Sequence, residues 1–393
     1  MFHSRSFSYQ TGSVDRSRTR LPSPGVTTEP VADIPRPLFV TRRFPPTVGG
    51  METFAANVWD ILEARCPGAT LVANRSPRGI VQFVARAWWH TLRARVGRRA
   101  DVVITYDATT YVMLWPLLAV LRMPSLLIAN GLDLTFPNAL YRMAVRRLIP
   151  RATRVLAISA ATAEVARELG VAPDRCAVMP LGVVAPQPPT PADKQDAGHS
   201  VRVRYGVGDD ARILLTVGRL VARKGVRWFV AEVMPLLPES VHYLVAGSGP
   251  DQTAIEGAIF SAGLRGRVHM LGRIDDDERE LLLLGADIFV QPNVAVPGDM
   301  EGFGLVVVEA AMRGTPVVAS ALEGLQDAIV DGETGVLCPS EDADAWQTAV
   351  THLLADSAAL IETGERFRKR TAELYGVEQM GTALVDALAS MNL

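Results

Sequence analysis

The chain has 393 residues, 40 of them Lys or Arg and 42 Asp or Glu, for a formal net charge of −2. It is 48% apolar and 6% aromatic, so it can bury a large core, and at roughly 150 residues per domain it should form two domains or slightly more. The near-neutral total excludes a basic nucleic-acid coat, and the lack of a 20–50-residue repeat excludes a solenoid or propeller. Cys66, Cys176 and Cys338 are too scattered for a disulfide framework or a metal cluster, which fits a reducing cytoplasm.

Residues 1–35 are rich in Ser, Arg, Thr and Pro and lack the apolar core of a signal peptide. They read as a disordered leader, with a transit-peptide composition as the second reading. From Pro37 short β-branched runs alternate with amphipathic ones. Strands are predicted at 38–40, 70–73, 101–106, 125–129, 155–158 and 176–180, and helices between them, as at 53–65 and 160–170. Tyr111 to Ile128 is apolar but interrupted by Pro116, Arg122 and Pro124, well short of the ~20 residues of a membrane span; a buried helix and strand are expected instead. This rhythm defines a first domain, 36–184, with a parallel sheet and helices on both faces.

Residues 185–208 begin with a Pro-rich polar stretch that has no apolar periodicity, and are expected to be a linker. A second series follows, with strands at 212–218, 241–247, 268–271, 287–292, 316–320 and 335–339, and defines a second domain, 209–370. Residues 371–393 are expected to form a C-terminal helix that packs back on the first domain. Charge divides along the same line. Residues 1–190 carry 23 basic and 12 acidic side chains, and residues 191–393 carry 17 and 30, so the two halves should meet different partners. The predicted class is α/β, with two Rossmann-like doubly wound domains facing each other across a cleft. Ligands of such sheets bind beyond the C-terminal strand ends, where the motifs fall.

Gly49-Gly50 lies between the first strand and a helix, where paired glycines let backbone amides approach an anion; taken alone, the pair is explained better by a tight turn. Arg219 and Lys224 flank the loop after the first strand of the second series. A guanidinium and an ammonium there can clamp a diphosphate, or can simply be solvated. Only three lysines occur among the 40 basic residues, which singles out Lys224. Gly247-Ser248-Gly249-Pro250 imitates a dinucleotide fingerprint, but Gln252 replaces its third glycine, arguing against a nicotinamide dehydrogenase. Glu301-Gly302-Phe303-Gly304 leads into a helix carrying Glu309. Its amides are expected to be exposed toward a phosphate or sugar, Glu301 can accept from sugar hydroxyls, and a buried Glu309 needs donors such as a ribose diol or an arginine.

Together these pieces resemble the retaining glycosyltransferases of family 4, with the GT-B fold. The matching segments over residues 37–370 are FPPTVGGMETFA (44–55), AISAATAEVARELG (157–170), VGRLVARKG (217–225), VAGSGP (245–250), MLGRI (270–274), ADIFVQP (286–292), EGFGLVVVEAAMRGTPVVAS (301–320) and VDGETGVL (330–337). FPPTVGG, RLVARKG and MLGRI are similar to the bacterial phosphatidylinositol mannosyltransferase subgroup. The resemblance implies that Arg219 and Lys224 hold the diphosphate of a nucleoside-diphosphate sugar and stabilise the leaving group without a metal or other cofactor. Glu309 then binds ribose, Glu301 with the 302–304 backbone positions the sugar, the backbone near Arg273 and Ile274 meets the base, and Gly49, Gly50 and Gly249 approach the donor. There are departures. Tyr106, followed by Asp107, and Asn130 stand where relatives carry His, so these three are the acceptor-side candidates. The loop 323–327 lacks the usual Pro-Glu and reads as local variation.

Residues 75–99 carry seven arginines, no acid and the pair Trp88-Trp89. Such a helix can lie in an anionic membrane surface or pack its apolar stripe on the sheet. The expected protein is a cytoplasmic hexosyltransferase, peripheral on the inner face of the membrane, that acts on a lipid-linked or saccharide acceptor and binds no nucleic acid. The alternatives are a GT-B epimerase or synthase, and a sugar-nucleotide-binding pseudoenzyme in a glycan assembly complex.

Overall fold

The computed structural model describes residues 34–47, 50–74 and 79–391; the leader, apart from its last two residues, and Gly49 lie outside the described residues. All twelve predicted apolar runs form strands. The first six are β1 (Pro37–Thr41), β2 (Thr70–Ala73), β3 (Val102–Thr105), β4 (Ser125–Ala129), β5 (Arg154–Ala157) and β6 (Cys176–Val178). They pair in parallel in the order β2-β1-β3-β4-β5-β6. The second six are β7 (Arg212–Val217), β8 (Val241–Ala246), β9 (Val268–Gly272), β10 (Ile288–Gln291), β11 (Val317–Ser320) and β12 (Val336–Cys338). Their order is β12-β11-β10-β7-β8-β9, again all parallel. Central strands such as β3 and β10 are buried at every residue, which is why they read as unbroken apolar runs rather than as alternating ones.

Strand order reverses between β1 and β3 in the first sheet and between β7 and β10 in the second. The loops that leave these strands are therefore held apart around a crevice at each sheet's C-terminal edge. Right-handed crossovers put helix Gly50–Arg65 on one face of the first sheet, and helices Ile80–Val96, Ala108–Leu121, Ala139–Leu148 and Ala160–Glu168 on the other. The cores agree with this. Phe83, Leu114, Val145 and Ala163 share one cluster, whereas Phe54 and Ile61 belong to a larger cluster that continues into the second half through Phe303 and Met380.

The C-terminal helix Val377–Ala389 lies against helix Gly50–Arg65, where Glu378 pairs with Arg65. The Gly182 amide donates to the Met380 sulfur at 3.3 Å, and the Val183 amide to the Tyr375 carbonyl at 2.8 Å.

Two expectations need correction. Residues 185–208 are not simply a linker, because Pro191–Tyr205 form a helix. Thr190 and Asp193 make a reciprocal capping box, Pro191 occupies the first turn, and Gly206 ends the helix at φ 64°. Its partner is helix Asp276–Gly285, and Arg202 ties it to Asp287 at 2.9 Å. Capping and tertiary packing thus replace the missing apolar stripe. The apolar segment from Tyr111 is also less buried than expected. Helix Ala108–Leu121 buries Tyr111, Leu114 and Leu118 but leaves Val120 81% exposed. Among the described residues, no helix is long and apolar enough to cross a membrane.

Candidate functional site

The loops after β7 and β10 bring a charged cluster together at the second sheet's reversal point. Lys224 lies in a tight turn, Ala222–Lys224, closed by Gly225 at φ 64°. A side chain at position 225 would collide with the Pro292 carbonyl oxygen, so only glycine lets the two loops touch. Glu301 is buried, and its Oε2 accepts from Lys224 Nζ at 2.5 Å, Arg223 Nη1 at 2.6 Å and Asn293 Nδ2 at 3.2 Å. Arg223 also pairs with Asp299 at 2.9 Å, and the Glu301 amide donates to the Glu323 carboxylate at 2.5 Å.

Burial works against the Glu301 charge, but the adjacent Lys224 and Arg223 overcome it and hold its pKa at about 2. Burial, with help from Arg223 and Arg219, lowers the Lys224 pKa against the pull of Glu301. Arg219 is exposed beside this cluster, and among the described residues no carboxylate pairs with it. Glu301 and Asp299 together balance Arg223 and Lys224, which leaves Arg219 as the cluster's exposed cation with no carboxylate partner among the described residues.

The remaining second-half candidates surround this cluster. Loops after β7 and β8 pack backbone to backbone: the Leu220 amide donates to the Ser248 carbonyl at 3.1 Å, and a side chain at Gly249 would strike the Leu220 carbonyl. Gly249 is thus required by loop packing whether or not a ligand is bound. Arg273 is exposed just beyond β9, and Ile274 rests partly buried on the core. Glu309 lies in helix Leu305–Met312 and pairs with Arg279. Burial raises its pKa, opposed by Arg279 and Arg313.

The expected exposure of three amides at 302–304 is corrected. Gly302 is half-buried, but Phe303 and Gly304 are buried, because the Phe303 ring packs on Tyr375 at 5.7 Å and Leu325 covers Gly304. Gly302 instead meets the first domain: a side chain there would lie 2.6 Å from the Asn130 carbonyl oxygen. Gly50 opens helix Gly50–Arg65 and faces Leu305 across the crevice.

The first-domain candidates are committed to internal contacts. Tyr106 is wholly buried between Phe39 and Phe54, at ring distances of 6.3 and 5.5 Å, so the expectation that its side chain meets a ligand is corrected. Its carbonyl accepts from Asn130 Nδ2 at 2.6 Å. Asp107 caps helix Ala108–Leu121 through the Thr110 amide at 2.9 Å and pairs with Arg42 at 2.9 Å. Asp133 accepts from the Ala108 and Asn130 amides at 2.8 and 2.9 Å, tying the loops after β3 and β4 together. Burial, reinforced by the neighbouring Asp107, pushes its pKa up to about 6.

Five site residues were not singled out for these roles from the sequence: Arg223, Asn293, Glu323, Asp133 and Arg279. Arg223 had a signal in its place beside Lys224. Glu323 had none. It sits at φ 49° in the loop that reads as local variation, and meets Glu301 only through the fold.

Residues 38–185 match the family model described as Glycosyltransferase Family 4, and residues 200–374 match Glycosyl transferases group 1. A D-inositol 3-phosphate glycosyltransferase of Xylanimonas cellulosilytica is 34% identical over 59% of this chain and 56% of its own length. A GDP-mannose-dependent alpha-(1-6)-phosphatidylinositol monomannoside mannosyltransferase of Mycolicibacterium smegmatis is 30% identical over 50% of this chain and 53% of its own. The chain thus spans about half the length of these curated relatives. Among solved structures, sucrose-phosphate synthase from Thermosynechococcus elongatus superposes with a TM-score of 0.74 at 22% identity, covering 91% of this chain and 99% of the other. Anabaena HepE in complex with UDP and glucose gives 0.72 at 18% identity, over 91% and 100%. These superpositions bear on the fold, and the fold is GT-B.

Proposed function

With its two halves matching the two glycosyltransferase domain models, the chain belongs to the family 4 type glycosyltransferases, and from that premise we propose a retaining, metal-independent hexosyltransferase. It moves a hexose from a nucleoside-diphosphate sugar to a lipid-linked or saccharide acceptor, in the cytoplasm and at an anionic membrane surface. The observation that carries this reading is the convergence of Arg219, Lys224 and Glu301 at the reversal point of the second sheet.

In this reading the donor diphosphate lies between Arg219 and Lys224. The bond from the anomeric carbon to the β-phosphate oxygen breaks with charge building on the diphosphate. Fixed cations in a half-buried crevice stabilise that charge more than water does, and without reorganisation. Arg223 matters indirectly, because it shares Glu301 with Lys224. Glu301 receives sugar hydroxyls, Glu309 the ribose, and the backbone at Arg273 and Ile274 the base. On the retaining course the departing phosphate accepts the acceptor's proton on the same face, so no protein nucleophile is required. The HepE complex with UDP and the GDP-mannose-dependent relative support a nucleotide-sugar donor and leave the base to experiment.

A second reading, a sugar-nucleotide-binding pseudoenzyme, draws on the internal commitments of Tyr106, Asp107 and Asn130. Thermal-shift measurements with UDP-, GDP- and ADP-sugars test the donor site, since a ligand that binds only the folded state raises its melting point. Donor hydrolysis or transfer by the isolated protein separates enzyme from pseudoenzyme. Near-normal turnover in both Lys224→Ala and Glu309→Ala contradicts the assignment.

A further inference from the structure

The charges of the second domain are ordered along the C-terminal edge of its sheet. Across the strand order β9-β8-β7-β10-β11, Arg273 and Ile274 follow β9, and Arg219, Arg223 and Lys224 follow β7. Asp299 and Glu301 follow β10, and Glu323 follows β11. The edge is therefore cationic over β7 and acidic over β10 and β11. Arg223 and Lys224 are held by Asp299 and Glu301, but Glu323 is not matched in this way. Among the described residues, no lysine or arginine forms an ion pair with it.

Glu323 is nevertheless fixed in place. Its Oε2 accepts from the Glu301 amide at 2.5 Å, and the next residue, Gly324, donates its amide to the Glu301 carbonyl at 3.1 Å. Residues 323 and 324 thus hold both backbone groups of Glu301. The other carboxylate oxygen, Oε1, makes no hydrogen bond among the described residues, and Glu323 is only half-buried. Two costs accompany this carboxylate. Its backbone has φ 49°, in the left-handed region that glycine adopts without strain and glutamate does not. Burial raises its pKa, reinforced by the Glu301 and Asp299 charges and opposed by the Glu301 amide and Arg223. A carboxylate kept against backbone strain and two like charges, with one oxygen free, has the character of a site residue.

We propose that Glu323 determines the class of sugar the donor carries: its free oxygen accepts from a hydroxyl of an uncharged hexose, and its charge excludes hexuronates and other sugars that bear an acid. This rests on the transferase reading, which puts the diphosphate between Arg219 and Lys224 and the sugar at Glu301. With the diphosphate over β7, the sugar extends along the edge over β10 toward β11, where Glu301 and Glu323 meet it. An uncharged polyol satisfies both carboxylates by donating its hydroxyls. A sugar carboxylate brings a further acid to the same point, in a half-buried crevice where salt screens little. The cations cannot relieve it. Lys224 and Arg223 already have carboxylate partners, and Arg219 is taken by the diphosphate.

Calorimetric titration of the full chain at about pH 8 tests this, with three matched pairs: UDP-glucose and UDP-glucuronate, GDP-mannose and GDP-mannuronate, ADP-glucose and ADP-glucuronate. The free nucleoside diphosphates are titrated beside them. For the base the protein accepts, the hexose nucleotide is expected to bind about tenfold or more tightly than its hexuronate. Glu323→Gln keeps an oxygen for the Glu301 amide and removes the charge, and Glu323→Gly suits the backbone at φ 49°. Both are expected to reduce the preference to about threefold or less, and a melting shift with the free nucleoside diphosphate reports that each variant is folded. A hexuronate bound as tightly as its hexose by wild type, or the wild-type preference retained by both variants, overturns the proposal. Either result alongside binding of a free nucleoside diphosphate leaves the transferase reading standing. No binding of any nucleotide contradicts that reading and the proposal together.

Discussion

Two buried carboxylates, one at the crevice edge of each domain, have opposite electrostatic fates. Glu301 has Lys224 and Arg223 against it and is held at about 2, whereas Asp133 has two backbone amides, a neighbouring Asp107 and burial, and is pushed up to about 6. The contrast separates two kinds of loop. Around Glu301 the carboxylates of Glu301 and Asp299 hold Lys224 and Arg223, and Arg219 remains exposed with no carboxylate partner among the described residues. Around Asp133 and Asp107 the polar groups are already used to cap a helix and pin two loops. The second domain's edge gathers charge at one point; the first domain's edge spends its polar groups on holding shape.

The strongest way to break this contrast is Lys224→Ala, which should lower transfer by about 10²–10³-fold, the usual cost of losing one fixed donor to developing negative charge, measured as kcat/KM. Next comes the pH dependence of stability. Glu301, with its folded pKa lowered, contributes stability that is present above about 4.5 and lost as pH falls toward about 2. Asp133 has the opposite sign: between about pH 4 and 6 only the folded state keeps its proton, so its contribution declines as pH rises. Each shift corresponds to about 3 kcal/mol at most. Denaturant titrations across pH should lose the acid limb in Glu301→Gln and lose the decline between pH 4 and 6 in Asp133→Asn.

Arg279→Ala sharpens the contrast at Glu309, the proposed ribose partner. Releasing Glu309 from its partner should tighten nucleoside-diphosphate binding about three- to tenfold by calorimetry, a change of about 1 kcal/mol. Smallest of all is Tyr106→Phe. The ring lies between Phe39 and Phe54, so transfer should stay within about twofold of wild type.

The same division governs what could be read from the sequence. All twelve strands were legible because buried parallel strands leave contiguous apolar runs bounded by glycine and proline. The placement of Arg219, Lys224, Glu301 and Glu309 was legible because each lies in or just beyond a strand-to-helix loop with local glycine punctuation. Asn293 and Glu323 were not, since their partner Glu301 is distant along the chain or linked only by loop curvature. Helix Pro191–Tyr205 was hidden because its stability comes from caps and from helix Asp276–Gly285 rather than from an apolar period.

Titration of UDP-, GDP- and ADP-sugars into wild type and Lys224→Ala, followed by isothermal calorimetry, addresses the central claim most directly. The account predicts saturable binding of at least one donor to wild type and at least tenfold weaker binding to Lys224→Ala, with Tyr106→Phe indistinguishable from wild type. Equal affinity of wild type and Lys224→Ala for the donor, or no binding by wild type to any of the three, contradicts it.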